Sequence, residues 1–176
     1  MKSIILFTSL FFSMMFVSAP VGNMFPDMKC EAVDDKNVSL PNDTKGKSTI
    51  ICLAYSEDAE KDLKTWYEPT YDKYIAKTEL MSDAYDVNLY FVPMFTGAKS
   101  AAVATAKAKI KQSVQEDIQP HVLIYRGELD AYKTSLGMDD KTKPYIFVLD
   151  KTGKIIYATS GPYTDDKMDE IDDKIE

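Results

Sequence analysis

The chain has 176 residues, of which 45% are hydrophobic, 11% aromatic and 28% charged, a balance typical of a globular protein. Plentiful apolar residues and only two cysteines exclude the disordered, collagen-like and disulfide-dense classes. The formal charge of −7 comes from 21 basic and 28 acidic residues with no basic run, so nucleic acid is not an expected partner.

The first 19 residues, Met1 to Ala19, have the features of an export signal. A short basic start precedes a stretch that is apolar or small throughout, and Val17 and Ala19 fit the small-residue rule at a cleavage site. Pro20 would follow the cut directly, where proline hinders peptidases, so an uncleaved membrane anchor is the alternative. We therefore expect an exported protein, periplasmic or secreted, or associated with a membrane through this segment. Residues 20–176 are expected to form a single domain.

Strands and helices alternate in the middle of the chain. Ser48 to Ala54 and Val87 to Phe95 are apolar runs bounded by polar residues, which is typical of buried strands. Between them, Asp58 to Leu80 carries apolar residues at three- and four-residue spacing, which predicts a helix with a kink at Pro69. Ala98 to Ile118 is predicted to be the second long helix.

The C-terminal third is predicted to contain shorter elements. They are a strand over His121 to Arg126, a helix over Glu128 to Leu136, strands over Tyr145 to Asp150 and Lys154 to Thr159, and a last helix from about Thr164. Gly137 suits the end of the short helix, and Gly153 suits the tight turn of the hairpin, because glycine readily adopts positive φ. This order predicts an α/β fold with a central mixed sheet flanked by helices on both faces.

Three stretches carry motifs that recur together in one superfamily. Phe25 to Leu40 reads FPDMKCEAVDDKNVSL, Lys45 to Lys47 reads KGK, and Lys143 to Ile155 reads KPYIFVLDKTGKI. They resemble the leading hairpin, the GK turn and the late hairpin of the thioredoxin-like superfamily, especially its exported TlpA and peroxiredoxin-related branch. The resemblance implies a thioredoxin-like fold with an N-terminal β-hairpin extension.

The redox-active cysteine pair of that branch is missing from its usual place. In the branch, the pair lies after the first core strand at a helix N-terminus, where the backbone N–H groups lower a thiol pKa. Ungapped alignment puts Asp58 and Lys61 at these positions, and a carboxylate and an ammonium cannot exchange disulfides. Asp58, with Ser56 and Glu57, also suits a helix start as a capping group. The resemblance therefore implies a protein that is redox-inactive and not an enzyme of this type.

A peptide-binding surface is implied around the same place. Pro144 resembles the cis-proline of the superfamily, which faces the redox site and holds an extended peptide. The resemblance favours a cis bond here above its base rate of ~5%, and a trans proline at a strand start is the alternative. The residues expected to bind a partner polypeptide are Ser56, Glu57, Asp58, Lys61, Lys143, Pro144 and Tyr145.

A narrower resemblance concerns the second half of the chain. Trp66 with Pro69, the Leu136-Gly137 pair, and Gly153 to Gly161 resemble the thioredoxin-like assembly factor of the mitochondrial ATP synthase and its bacterial relatives. That family also lacks a cysteine pair at the position described above, although it usually has arginine and tryptophan where Ile156 and Tyr157 stand. The resemblance implies a folding or assembly helper that acts by binding another polypeptide.

Cys30 and Cys52 leave three interpretations open. Both lie within predicted strands among apolar residues, so they can be buried thiols that behave as small hydrophobic side chains. An exported protein with two cysteines can also form a structural disulfide. The third interpretation is a divergent thiol-disulfide oxidoreductase that uses this pair. The single histidine, His121, lacks partners at metal-ligand spacing, so neither a metal nor a cofactor is expected.

Overall fold

The computed structural model describes residues 20–77, 85–96 and 103–175. They form a seven-stranded mixed sheet with the order β2-β1-β5-β4-β3-β6-β7. The strands are β1 (Met28–Ala32), β2 (Asn37–Leu40), β3 (Ser48–Ala54), β4 (Val87–Phe95), β5 (Leu123–Arg126), β6 (Tyr145–Leu149) and β7 (Ile155–Ser160). The helices are α1 (Glu57–Lys64), α2 (Tyr67–Tyr71), α3 (Val103–Ser113), α4 (Asp130–Leu136) and α5 (Asp165–Ile175).

Strand β3 lies at the centre of the fold. It pairs in parallel with β4 and antiparallel with β6, so that Cys52 is opposite both Phe91 and Ile146. Residues 49–54 are all buried, because side chains on both faces of a covered sheet are removed from water. Ile51 and Leu53 point into one apolar core, whereas Ile50 and Cys52 point into the other. The predicted mixed sheet with helices on both faces is confirmed.

The predicted N-terminal hairpin extension is also present. Strand β1 pairs antiparallel with β2 and with β5, which joins the hairpin to the main sheet. The carboxylate of Glu31 accepts from Lys107 of α3 at 2.8 Å and from Arg126 of β5 at 3.1 Å. Charged contacts to a helix and to a neighbouring strand thus hold the hairpin in place.

The predicted helix over Asp58 to Leu80 differs from the structure. The chain leaves the helix at Thr65 and Trp66, ahead of Pro69, and then forms α2 and a π-helical turn over Asp72–Ala76. The cause is tertiary: Trp66 is fully buried and its indole N–H donates to the carbonyl of Gly161 at 3.0 Å. Pro69 lies in the first turn of α2, where N–H groups have no intrahelical acceptor, so it causes no kink there.

Other predicted segments fall partly outside the described residues. The helix predicted over Ala98 to Ile118 is helical over Val103–Ser113, and residues 98–102, like residues 78–80, are not described. The predicted signal, residues 1–19, also lies outside them. No helix within residues 20–77, 85–96 and 103–175 is long and apolar enough to cross a membrane.

Candidate functional site

The candidate site begins where β3 ends and α1 starts. Ser56 is the N-cap of α1, and its hydroxyl oxygen accepts from the N–H of Ala59 at 3.1 Å. The same hydroxyl donates to the carbonyl of Lys141, so the helix start is bound to the loop that precedes β6. Glu57 and Asp58 follow in the first helical turn and are exposed, where their charge complements the helix dipole.

Asp58 and Lys61 form an ion pair on the first turn of α1. Their side chains meet at 2.7 Å and both are largely exposed. The hydrogen bond from Lys61 lowers the pKa of the Asp58 carboxyl, and Asp58 in turn raises the pKa of the Lys61 ammonium. Both groups are therefore charged at neutral pH, and this surface offers a partner one positive and one negative group.

The loop from Asp139 to Lys143 forms the opposite side of the site. Asp140 accepts from the hydroxyl of Thr142 at 2.6 Å and from its backbone N–H at 2.9 Å. Lys143 approaches the same carboxylate at 3.1 Å. The hydrogen bonds from Thr142, with the help of Lys143, lower the pKa of Asp140 to about 2. The loop thus has a fixed shape and presents Lys141 and Lys143 to solvent.

Two tyrosines form a floor between the helix start and this loop. The rings of Tyr55 and Tyr145 stack with centroids 6.4 Å apart, and the Tyr55 hydroxyl donates to the carbonyl of Met138 at 2.9 Å. The ammonium of Lys133 lies 5.3 Å from the centre of the Tyr55 ring, a cation–π contact. Burial raises the pKa of Tyr55 to about 12, so its hydroxyl remains protonated at neutral pH.

These elements enclose an open groove of about 840 Å³. Its floor is the half-buried ring of Tyr55, with the buried side chains of Leu129 and Met138 beneath it, and its rim carries charges of both signs. The charged rim residues are Glu57, Asp58, Lys133, Asp139 and Lys141. A groove with an apolar floor and a mixed charged rim suits a segment of polypeptide better than a small ion.

The structure places some of the predicted binding residues at the groove and buries others below its surface. Ser56, Glu57 and Asp58 line it, and Lys61 is paired to Asp58 beside it. Lys143 is exposed at the end of the loop.

Two predicted binding residues are not available on the surface. Pro144 is buried, and so is Tyr145, with 7% of its surface exposed. Of the two alternatives at Pro144, the structure has the trans bond, since the cis bond among the described residues is Leu40–Pro41. Tyr145 therefore supports the floor through its ring contact with Tyr55, whereas the preceding loop supplies the accessible surface.

Sequence reasoning missed the contribution of α4 and the segments beside it. Leu129, Lys133 and Met138 reach the groove from a part of the chain about eighty residues beyond Tyr55, as the Tyr55 to Met138 hydrogen bond shows with its sequence separation of 83. The sequence carried only a weak signal for this contribution. Gly137 predicted the end of α4, but nothing in the local sequence indicated which strand end α4 would cover.

The two cysteines are free and buried, on opposite faces of the sheet. Cys30 lies on β1 and Cys52 on β3, with β5 and β4 between them, so three strand spacings of about 4.8 Å separate them. A disulfide needs Cα atoms within ~7 Å, which this arrangement excludes in the folded chain. Burial raises the pKa of Cys30 to about 12 and raises that of Cys52 as well. The interpretation as buried thiols is confirmed, and the structural disulfide is wrong.

The mixed sheet, with a helix starting at the end of its central parallel strand, defines this chain as a thioredoxin-like α/β protein. Within that class, a family model described as ATP10 protein matches residues 16–173. The chain belongs to the ATP10 protein family.

Solved structures similar to the chain agree on the fold. A putative thiol:disulfide interchange protein DsbE from Chlorobium tepidum is 17% identical, with 90% of this chain and 99% of that chain covered at a TM-score of 0.59. BsSco, of the Sco family of cytochrome c oxidase assembly proteins, is 12% identical, with 85% of this chain and 90% of that chain covered at a TM-score of 0.56. An exposed lipoprotein thioredoxin from Streptococcus pneumoniae is 17% identical, with 84% of this chain and 99% of that chain covered at a TM-score of 0.51. No curated protein matches the chain.

Proposed function

We propose that this chain is an exported, redox-inactive thioredoxin-fold protein that binds another polypeptide as a folding or assembly helper. The observation that carries the proposal is the groove at the start of α1, beside which Asp58 and Lys61 form an ion pair. The ungapped alignment with the redox-active branch assigns its cysteine pair to these two positions. Membership of the ATP10 family supports an assembly role. The similarity in fold to a cytochrome c oxidase assembly protein is consistent with it.

The shape of the groove supports binding through side chains. The carbonyl of Lys141 already accepts from Ser56, and the N–H of Thr142 already donates to Asp140. These backbone groups are therefore not free to pair with an added strand. We infer that a partner is recognised by apolar contact with the half-buried ring of Tyr55 and by charge contact with the rim.

The redox part of the proposal has its own test. A catalytic thiol is accessible and has a lowered pKa, whereas Cys30 and Cys52 are buried and have raised pKa values. We expect no alkylation of either thiol in the native protein, two alkylated thiols after unfolding, and no reduction of insulin disulfides. Turnover of insulin, lost in Cys52→Ala, would instead support an oxidoreductase.

The binding part is tested by cross-linking at single positions in the cell that makes the protein. A photoreactive amino acid in place of Lys141, at the groove rim, is expected to capture a discrete polypeptide. The matched control is the same substitution at Lys154, an exposed lysine on the β6–β7 turn at the other end of the sheet. Equal capture at both positions, or none at Lys141, would contradict the groove as the binding surface.

Charge reversal at the rim gives a second measurement. Lys133→Glu with Lys141→Glu changes the rim from mixed to acidic, so capture at another rim position, Thr134, is expected to fall by about tenfold. The control pair Lys151→Glu with Lys154→Glu makes the same change in net charge away from the groove and is expected to leave capture unchanged.

Export is the remaining part of the proposal. The apolar segment from Ser3 to Ala19 supports it, as does the similarity in fold to an exposed lipoprotein. Intact-mass spectrometry of protein recovered from its native compartment tests it. A mass that begins at or near Pro20 indicates a cleaved signal, and a full-length mass in the membrane fraction indicates an anchor. A full-length mass in the cytoplasm would contradict export.

A further inference from the structure

The two edges of the sheet differ in how their backbone groups are satisfied. At the β2 edge, the N–H of Ser39 donates to the carboxylate of Asp43 at 2.7 Å. This strand has only four residues, and Pro41 follows it directly. A short edge strand whose N–H is covered by a side chain is protected against pairing with another chain.

The β7 edge has no such protection within the described part of the chain. Gly161 donates its N–H to Pro144, and Thr159 lies opposite Ile146, so alternate residues from Tyr157 to Gly161 bond towards β6. Hydrogen bonding alternates in direction along an antiparallel strand, so Ala158 and Ser160 direct their N–H and C=O groups outward. No backbone partner for these four groups is found among the described residues.

The surroundings of this edge favour contact with another chain. Residues 155–163 contain no charged side chain, so the strand lacks the lysines that usually prevent edge pairing. Val21 and Met24 are large hydrophobic side chains with 48% and 54% of their surface exposed. They lie beside the same edge, because Gly22 donates its N–H to the carbonyl of Ile155 at 2.8 Å.

We propose that a second copy of this chain pairs antiparallel along β7, with the two-fold axis at Thr159. In this register Ala158 of each copy lies opposite Ser160 of the other, so all four outward groups of each strand are paired. A ladder centred on one residue is self-complementary, which is what a two-fold dimer requires. The occupant is therefore a second copy.

The flanking residues fit the same register. Thr159 of one copy faces Thr159 of the other, a favourable cross-strand pair. Tyr157 faces Gly161, which has no side chain to collide with the ring. The ladder ends at Pro162, which has no N–H, and at the turn from Pro20 to Asn23, which already occupies the outward groups of Ile155.

Cysteine cross-linking tests this register. Thr159→Cys brings two thiols to a non-hydrogen-bonded pair with Cα atoms about 4.5 Å apart, within the range of a disulfide. The full chain, in mild detergent to accommodate residues 1–19, is expected to form a reducible dimer on oxidation. Asn37→Cys, an exposed position on the β2 edge, is the matched control and is expected to stay monomeric. The native thiols are buried and do not interfere.

A charge swap provides an independent measurement. Thr159→Lys alone and Thr159→Glu alone place like charges opposite each other, so each variant is expected to self-associate about tenfold more weakly than the wild type. An equal mixture of the two variants is expected to restore the dimer. The proposal is wrong if Thr159→Cys cross-links no more than Asn37→Cys, or cross-links to a different polypeptide. It is also wrong if the mixture of charged variants stays monomeric.

Discussion

At the scale of single residues, the carboxylate of Asp140 determines the shape of the groove loop. It accepts two hydrogen bonds from Thr142 and contacts Lys143, and these bonds lower its pKa from 3.8 to about 2. A carboxyl with a lowered folded-state pKa contributes stability above its unfolded pKa and loses that contribution as the pH falls through its folded pKa. The contribution is therefore full above about pH 4 and is lost as the pH falls towards 2.

We predict that Asp140→Asn lowers the free energy of unfolding at pH 7 and that the difference from the wild type disappears near pH 2. Urea unfolding at a series of pH values measures this. Thr142→Val should raise the Asp140 pKa towards its ordinary value in an NMR titration, because it removes one of the two bonds from Thr142. A constant difference between Asp140→Asn and the wild type at every pH would contradict this account.

At the scale of elements, the β6–β7 hairpin depends on a glycine that is fixed for two separate reasons. Gly153 has φ of +92°, and a Cβ atom there would lie 2.8 Å from the ring of Pro41. Gly22 has nearly the same φ, +95°, but a Cβ atom there would meet nothing within 4 Å. The two positions therefore separate the cost of the backbone conformation from the cost of the collision.

We predict that Gly22→Ala destabilises the chain by about 1–2 kcal/mol, the cost of positive φ for an L-residue. Gly153→Ala is expected to cost about 1–3 kcal/mol more, because overpacking against Pro41 adds to the same backbone strain. Thermal or urea unfolding of the two variants gives the difference directly. Equal destabilisation would mean that the Pro41 ring moves aside at no cost.

Elements specified by local pattern were predicted well from the sequence. Strand β3 matches its predicted bounds because an apolar run between polar residues is specified by its own composition. Asp58 and Lys61 were both predicted to lie on the helix after β3, and the structure places them there. Their ion pair, which was not predicted, follows from the three-residue spacing on one helix. The end of α1 ahead of Pro69 could not be predicted from local sequence, because it depends on a hydrogen bond from Trp66 to Gly161, 95 residues away. Long-range contacts of this kind leave no local pattern.

At the scale of the whole molecule, the groove and the start of the described chain lie at opposite ends of the sheet. The groove follows Ala54 at the end of β3, whereas the N–H of Gly46, just before β3, donates to Lys151 in the β6–β7 turn at 2.8 Å. Gly22 is bonded to Ile155 at that same end. A strand of seven residues spans about 20 Å, so an anchor before Pro20 would leave the groove facing away from the membrane.

This separation predicts that residues 1–19 can be exchanged without loss of binding. Replacing residues 1–19 with an unrelated, cleavable export signal is expected to leave photo-cross-linking at Lys141 unchanged, because Gly22, near the start of the described chain, lies at the end of the sheet away from the groove. As a control, a short flexible insertion between Lys141 and Thr142 is expected to abolish capture, since it breaks the loop that Ser56 and Asp140 hold. Loss of capture in the exchanged chain, with its amount in the exported fraction unchanged, would show that residues 1–19 themselves bring the partner to the groove.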